Sequence, residues 1–243
     1  MIPKHFFFDL DNTLTPSKSL IEPGHVPILK QLSERADVIV VSGHGEKDIR
    51  KHLRPELAGC YHILGQNGNF AETRDGRIFW NRSLSSGQRN AILAFISKAR
   101  AHLNYTVSDE NDIIEDRDSQ IAFSLIGHHE NKVIKDAFDP DHAKRQKLLE
   151  DLADDVKVLE KANAEVRIGG TTNLDFFEFG KNKGYNVSAF IDAMHWDKND
   201  CIYVGDALFP GGNDETVIGV IPTKAVADYR ETYSYLENIL RSS

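Results

Sequence analysis

Runs of consecutive apolar residues punctuate the first part of the chain. Each ends in polar residues, and an amphipathic stretch separates each from the next. "HFFFDL" from His5, "ADVIVVSG" from Ala36 and "CYHILGQNG" from Cys60 lack the alternation of a half-solvated strand. They predict strands buried on both faces. Between them, "EPGHVPILKQLSER" places Val26, Ile28, Leu29 and Leu32 on one helical face, and "GEKDIRKHL" reads as a second helix. "NFAETRDGRIFW" predicts a hairpin with Asp75-Gly76 at its tip. Strand-helix-strand-helix-strand implies a parallel sheet with right-handed crossovers.

The pattern changes in the middle. "SSGQRNAILAFISKARAHL" predicts a long amphipathic helix capped by Ser85 or Ser86. "EDRDSQIAFSLIGHH" alternates and predicts one half-solvated antiparallel strand. "DPDHAKRQKLLEDLADD" predicts a helix with Pro140 in its first turn, and "AEVRIGG" and "NLDFFEF" predict two further strands. The last part returns to the apolar runs of the beginning. There "NKGYNVSAFIDAMHW" predicts a helix, "DCIYVGD" a buried strand, "TVIGVIPT" a short strand and "VADYRETYSYLENILRSS" a closing helix. The predicted fold class is α/β, a Rossmann-like parallel-sheet core over 1–84 and 181–243, interrupted by an inserted α+β domain over 85–180. In open α/β sheets, ligands bind beyond the carboxyl ends of the strands. Asp9, Ser42, the Gln66-Asn67-Gly68 turn and Asp206 all fall at such ends.

Composition narrows the function classes. The chain has 243 residues and a formal charge of −8, against the basic surface of a general nucleic-acid binder. An anionic substrate therefore needs a local cluster of cations or backbone N–H groups. Two cysteines, Cys60 and Cys201, are too few for a disulfide framework and lack metal-site spacing. Both are expected to be small buried residues of a cytoplasmic protein. The N-terminus runs directly into a strand, which predicts no secretory leader, and no window has the apolar length of a membrane span.

The chemistry starts from "DLDNT". Asp9 and Asp11, two apart on an extended segment, face the same way, and two such carboxylates repel. A bound divalent cation relieves that, and Mg²⁺ favours carboxylates, water and substrate phosphate. Asp206 in "YVGDALFPGGND" supplies another strand-end carboxylate, and Asp214 is placed to orient it or the metal's waters. One aspartate can attack phosphorus. The other can give and take the proton. A plain Asx turn ending a strand explains "DLDNT" alone equally well. A calcium loop does not, because Leu14 and Leu20 stand where its glycine and final glutamate belong.

"DLDNTLT" resembles the first motif, "VVSG" the second and "VGDALFPGGND" the fourth of the haloacid dehalogenase (HAD) superfamily, in an order and spacing that match subclass IIB with a C2-type cap. The resemblance implies Asp9 as nucleophile, Asp11 as general acid/base and Ser42 as a phosphoryl hydrogen-bonding group. It also implies a phosphate-facing Lys183 and a metal held by Asp9, the backbone carbonyl of Asp11, and Asp206. Within that subclass, "TPSKSLIEP", "QNGN", "RIGGTTNLDFF" and "GDALFPGGND" resemble eukaryotic-type phosphomannomutases. That likeness implies interconversion of mannose 6-phosphate and mannose 1-phosphate, a hexose bisphosphate activator and a homodimer through the cap. It suggests Lys18, Asn67, Arg117, His128, Gly170, Asn173 and Asp175 as substrate contacts. Several positions depart from the pattern of the related enzymes, among them Asn12, where many members carry glycine, and the stretch after Asp214, where the further cation-binding loop of the eukaryotic enzymes is not recognisable. His128 and Lys18 stand where those enzymes carry arginines, and Asn173 stands in place of a sugar-contacting serine. Arg-to-His and Arg-to-Lys change bidentate phosphate recognition, which keeps a sugar-phosphate phosphatase of the same fold open. Arg117 lies in an acidic run where Glu115 or Asp116 can pair with it, and His128 reads equally as a solvated strand-end histidine. A phospho-accepting receiver module and a silent sugar-phosphate sensor are rivals of other classes. The long insertion disfavours the first, and the presence of both aspartates disfavours the second.

Overall fold

The computed structural model describes residues 3–103 and 106–241, which form two compact units, 1–81 with 181–243 and 82–180. The first unit is built on a seven-stranded sheet. Its strands are β1 (His5–Phe8), β2 (Asp37–Val41), β3 (His62–Gly65), β4 (Phe70–Glu72), β5 (Ile78–Asn81), β10 (Cys201–Gly205) and β11 (Thr223–Ala225). They lie in the order β11-β10-β1-β2-β3-β4-β5. The first five in that order are parallel, and β4 and β5 close one edge as an antiparallel hairpin.

Alternate residues of the buried strands enter different cores, which is why the runs show no polar alternation. Phe6, Phe8, Val38 and Val40 pack with α1 (Val26–Ser33), α2 (Glu46–Leu53) and α8 (Tyr229–Arg241) through Leu29, Ile49 and Leu236. Phe7, Ile39 and Val41 pack on the other face with Val187, Phe190 and Ile191 of α7 (Lys183–Met194). "TVIGVIPT" is not the strand its composition predicts. Residues Glu215–Val217 form a 3-10 turn and an isolated bridge joins Ile218 to Ile221, so pairing with β10 begins only at Thr223. Cys201 is buried as expected, but Cys60 is only half-buried at the edge of its core.

At the amino ends of β1, β2 and β3, His5 Nδ1 lies 2.8 Å from Asp37 Oδ2, with His62 and Arg74 also facing that carboxylate. The neighbouring His62 ring, 3.7 Å away, holds the Asp37 carboxyl below its usual range; burial opposes it and the His5 hydrogen bond reinforces it. A depressed folded-state value gives stability that is fully present above the unfolded value of 3.8 and is lost as pH falls below it. Asp37→Asn should therefore lose stability at neutral pH and show a shallower acid limb, measured by urea titrations across pH 2.5–6, about the range in which a carboxyl titrates.

The second unit pairs an antiparallel sheet with helices. Its elements are α3 (Ser86–His102), β6 (Ile114–Asp116), β7 (Gln120–Ser124), α4 (Lys132–Phe138), α5 (Ala143–Asp151), α6 (Ala153–Lys161), β8 (Ala164–Gly169) and β9 (Asn173–Glu178). The strands lie in the order β6-β7-β9-β8. Ser85 caps α3 in a full capping box with Gln88, the sequence signal of that start. "EDRDSQIAFSLIGHH" forms two strands rather than one, because the chain turns at Asp118 with φ 72°. β7 is buried at every position, since it is interior to the sheet. Pro140 lies outside the helix it was expected to start. His142, left-handed at φ 64°, precedes α5, and Asp139 takes the capping role by accepting from the N–H groups of Lys144 and Arg145. The helical pattern is also broken once, at Leu152 between α5 and α6.

Candidate active site

Four chain segments converge at the carboxyl end of the parallel sheet. β1 ends at Phe8, and Asp9 N–H still donates to the Val204 carbonyl, so Asp9 sits where β1 leaves β10. β10 ends at Gly205 and delivers Asp206. The turn after it brings back Asp214, which is fully buried. A carboxylate oxygen of each of Asp9, Asp206 and Asp214 lies within 4.8 Å of the others. Such a set of hard oxygen donors suits a divalent cation.

Lys183, the first residue of α7, meets this cluster. Asn182 caps the helix by accepting from Tyr185 N–H. The buried Lys183 Nζ donates to Asp9 Oδ1 at 2.6 Å and to Asp214 Oδ1 at 2.7 Å. Burial works against its charge, but the two carboxylates outweigh burial and hold the ammonium above its ordinary range. Burial pushes Asp9 well up, with Asp214 and Asp206 adding to the rise and Lys183 opposing it. Asp206 is raised by burial and then by Asp214. Carboxyls held this way gain from a cation placed among them.

Gly184 lets α7 approach closely enough for this contact. A Cβ there would stand 1.9 Å from the Thr216 carbonyl oxygen, two residues beyond Asp214. Gly184→Ala should cost about 1–3 kcal/mol of stability, as overpacking does. It should also lower activity by displacing Lys183. Urea melts and turnover on the same preparation measure both.

Asp11 departs from the expectation that it pairs with Asp9. The N–H groups of Thr13, Leu14 and Thr15 all turn back to the Leu10 carbonyl, and Asn12 is left-handed at φ 57°. The extended geometry therefore ends before Asp11, whose side chain stands outside the carboxylate cluster. Its Oδ1 accepts from Lys18 N–H at 2.5 Å and its Oδ2 accepts from His44 Nε2 at 2.8 Å. Burial would raise Asp11, but the His44 contact and the Lys18 N–H bring it below its usual value.

Ser42 is buried at the end of β2. Its Oγ accepts from His44 N–H, and its carbonyl accepts from Asn67 N–H. Asn67, left-handed at φ 56°, has its side chain beside Gly43, and its carbonyl accepts from the buried Asn186 amide of α7. Lys18 is exposed, and its link to the site is the backbone N–H.

In the second unit, Asn173 and Asp175 lie on the strand face opposite its apolar core. Cross-strand register sets Glu115, Ala122, Asp175 and Arg167 in one row, with Ser124, Asn173 and Gly169 in the next. Arg117 pairs with Glu115 at 2.6 Å, the structural partner its acidic surroundings suggest, and His128 Nδ1 lies 3.8 Å from the same carboxylate. His128 is mostly buried rather than solvated, and burial lowers its pKa. Its carbonyl accepts from Lys135 Nζ at 2.6 Å. Asp175 lies against Gly169, where a Cβ would meet its Oδ2 at 2.0 Å. Gly170 is left-handed at φ 49°. Arg145, fully buried, ion-pairs with Asp139 and donates to the carbonyls of Gly169, Gly170 and Asn173.

Sequence reasoning missed His44, Tyr203, Thr13 and Arg145. Tyr203 is buried in β10 and its hydroxyl donates to Asp214 at 2.6 Å; a tyrosine inside an otherwise apolar run was the available signal. Thr13 Oγ accepts from Asp206 N–H, a role carried by the threonine of "DLDNT". His44 and Arg145 carry no local signal, because their partners lie 33 and 6 to 28 residues away.

The haloacid dehalogenase-like hydrolase family matches residues 6–215, which include every residue of the strand-end cluster. The chain belongs to that family. It is 26% identical over 215 residues to phosphomannomutase 1 of Dictyostelium discoideum, covering 85% of this chain and 83% of that protein. It is 27% identical over 216 residues to the phosphomannomutase of Spinacia oleracea, covering 85% and 83%. Among solved structures, a haloacid dehalogenase-like hydrolase from Bacteroides thetaiotaomicron shares the fold. It has a TM-score of 0.67 and 17% identity, over 98% of this chain and 99% of that one. This HAD-family chain is an enzyme of the phosphotransferase or phosphatase kind. Among the described residues, no helix is long and apolar enough to cross a membrane.

Proposed function

We propose that this enzyme is a Mg²⁺-dependent phosphotransferase acting on sugar phosphates through an aspartyl-phosphate on Asp9. Interconversion of mannose 6-phosphate and mannose 1-phosphate is the preferred reaction. The observation that carries the chemistry is Lys183, buried at the strand ends with its ammonium shared between Asp9 and Asp214. The mutase reading draws its support from the phosphomannomutases similar to most of the chain.

In this reading Lys183 holds Asp9 Oδ1, which leaves Oδ2 as the attacking atom. The new Oδ2–phosphorus bond forms as the bond to the sugar oxygen breaks, and Asp11 gives that oxygen a proton. Ser42 and Lys183 offer hydrogen-bond donors to the phosphoryl oxygens as charge develops. A sugar hydroxyl, or water in a phosphatase, then attacks phosphorus, loses its proton to Asp11 and frees Asp9. Asp9, Asp206 and the Asp11 carbonyl would hold Mg²⁺, with Asp214 orienting them. The ion would supply positive charge against the phosphate. In the second unit, residues 85–180 as the cap domain, Arg117, His128, Gly170, Asn173 and Asp175 are the proposed sugar-phosphate contacts, with Lys18 and Asn67 in the core. In this reading the enzyme is cytoplasmic, and its cap supports a homodimer.

One assay separates mutase from phosphatase. Purified enzyme with Mg²⁺, mannose 1-phosphate and a hexose bisphosphate should form mannose 6-phosphate. Release of free mannose and phosphate, with no 6-phosphate formed, would favour the phosphatase. That second reading is kept because His128 and Lys18 stand where the related mutases carry arginine.

A further inference from the structure

We infer that His44 is a positioning residue for Asp11, setting the direction of the carboxyl that moves the proton. The inference rests on the acid/base role of Asp11 proposed above. The backbone around Asp11 is fixed by its bridge to Thr15 and by the turn onto the Leu10 carbonyl. What remains free is the rotation of one short side chain, and two donors from different loops define it. Lys18 N–H holds Oδ1, and His44 Nε2 holds Oδ2 at 2.8 Å. While Asp11 is ionised it only accepts, and His44 Nε2 is then the donor of this bond.

His44 is itself held on several sides. Its N–H donates to Ser42 Oγ at 3.2 Å, and its carbonyl accepts from Gln66 N–H at 2.9 Å. The edge of its ring stands perpendicular to that of His52 of α2, with ring centroids 5.0 Å apart. The imidazole therefore has little freedom, and it hands that order to Asp11. The loop that presents Ser42 and the loop that presents Asp11 are joined through this one ring. Lys18 N–H alone would leave the carboxyl free to rotate about its single remaining hydrogen bond. Proton transfer depends steeply on the placement of the donor atom.

The test compares wild type, His44→Ala, His44→Gln and Asp9→Asn with Mg²⁺ and mannose 1-phosphate. It follows loss of the sugar 1-phosphate whether the product is the 6-phosphate or free phosphate. His44→Ala should lower kcat about 10–100-fold with KM changed less than about threefold, the pattern of lost orientation rather than lost binding. His44→Gln, whose carboxamide can place a donor near the Nε2 position, should recover most of the rate. The inference is overturned if His44→Ala keeps kcat within about twofold of wild type, or if KM rises while kcat holds, which would mean direct substrate contact. It is also overturned if folded His44→Gln is as slow as His44→Ala. Asp9→Asn separates the layers. An inactive Asp9→Asn beside a normal His44→Ala refutes only this inference, whereas an active Asp9→Asn refutes the reading beneath it.

Discussion

Asp9→Asn should reduce phosphoryl transfer by at least about 10³-fold, because the amide cannot form the acyl-phosphate that splits the reaction into two steps. The fold should survive. The substitution is nearly isosteric, and it removes a carboxyl that burial and two neighbouring aspartates already push well above its usual range. The substitution removes one of the two charges facing Lys183, but the amide oxygen can still accept from it and Asp214 continues to hold the ammonium at 2.7 Å. Thermal melts of variant and wild type should therefore stay close while turnover collapses. Mg²⁺ should also bind the variant more weakly, readable by calorimetry, because Asp9 is one of the three clustered carboxylates.

Lys183→Met should damage both stability and activity. The methionine fills the same channel but leaves Asp9 and Asp214 buried without their shared cation. Breaking a buried ion pair by removing one partner costs about 3–5 kcal/mol, since the remaining charge has neither water nor partner. The fall should appear as a lower urea midpoint. Lys183 opposes the rise of the Asp9 pKa, so its removal should drive that carboxyl further toward the protonated, non-nucleophilic form. Any residual rate should then increase toward alkaline pH. A Lys183→Met protein as stable and active as wild type would mean that the lysine is decoration on α7.

The legible and illegible parts of this molecule divide by the range of the forces involved. The buried strands could be read because both faces of the parallel sheet are covered, leaving long apolar runs such as Phe6–Phe8 and Val38–Val41. The start of α3 could be read because its capping box is local. Strand-end geometry likewise placed Asp9 and Asp206 together. What failed was conformational detail that a few residues decide between near-equal alternatives. The left-handed turns at Asp118 and His142 split a strand and delayed a helix that periodicity alone drew through them. The turn onto Leu10 separated Asp11 from Asp9 for the same reason. His44 was invisible because Asp11 reaches it only through tertiary folding, as the Gly169, Gly170 and Asn173 carbonyls reach Arg145. Arg145, buried among three carbonyls and Asp139, shows how a residue that composition marks as surface can organise a turn.

The most direct measurement is the location of the phosphoryl group during turnover. Enzyme mixed with Mg²⁺ and a sugar phosphate, quenched within a turnover and reduced with borohydride, converts an aspartyl-phosphate to homoserine, which peptide mass spectrometry locates. Homoserine is expected at position 9 in wild type and at no position in Asp9→Asn. Turnover with no modified residue, or with the modification at Asp11, Asp206 or Asp214, would contradict an aspartyl-phosphate on Asp9.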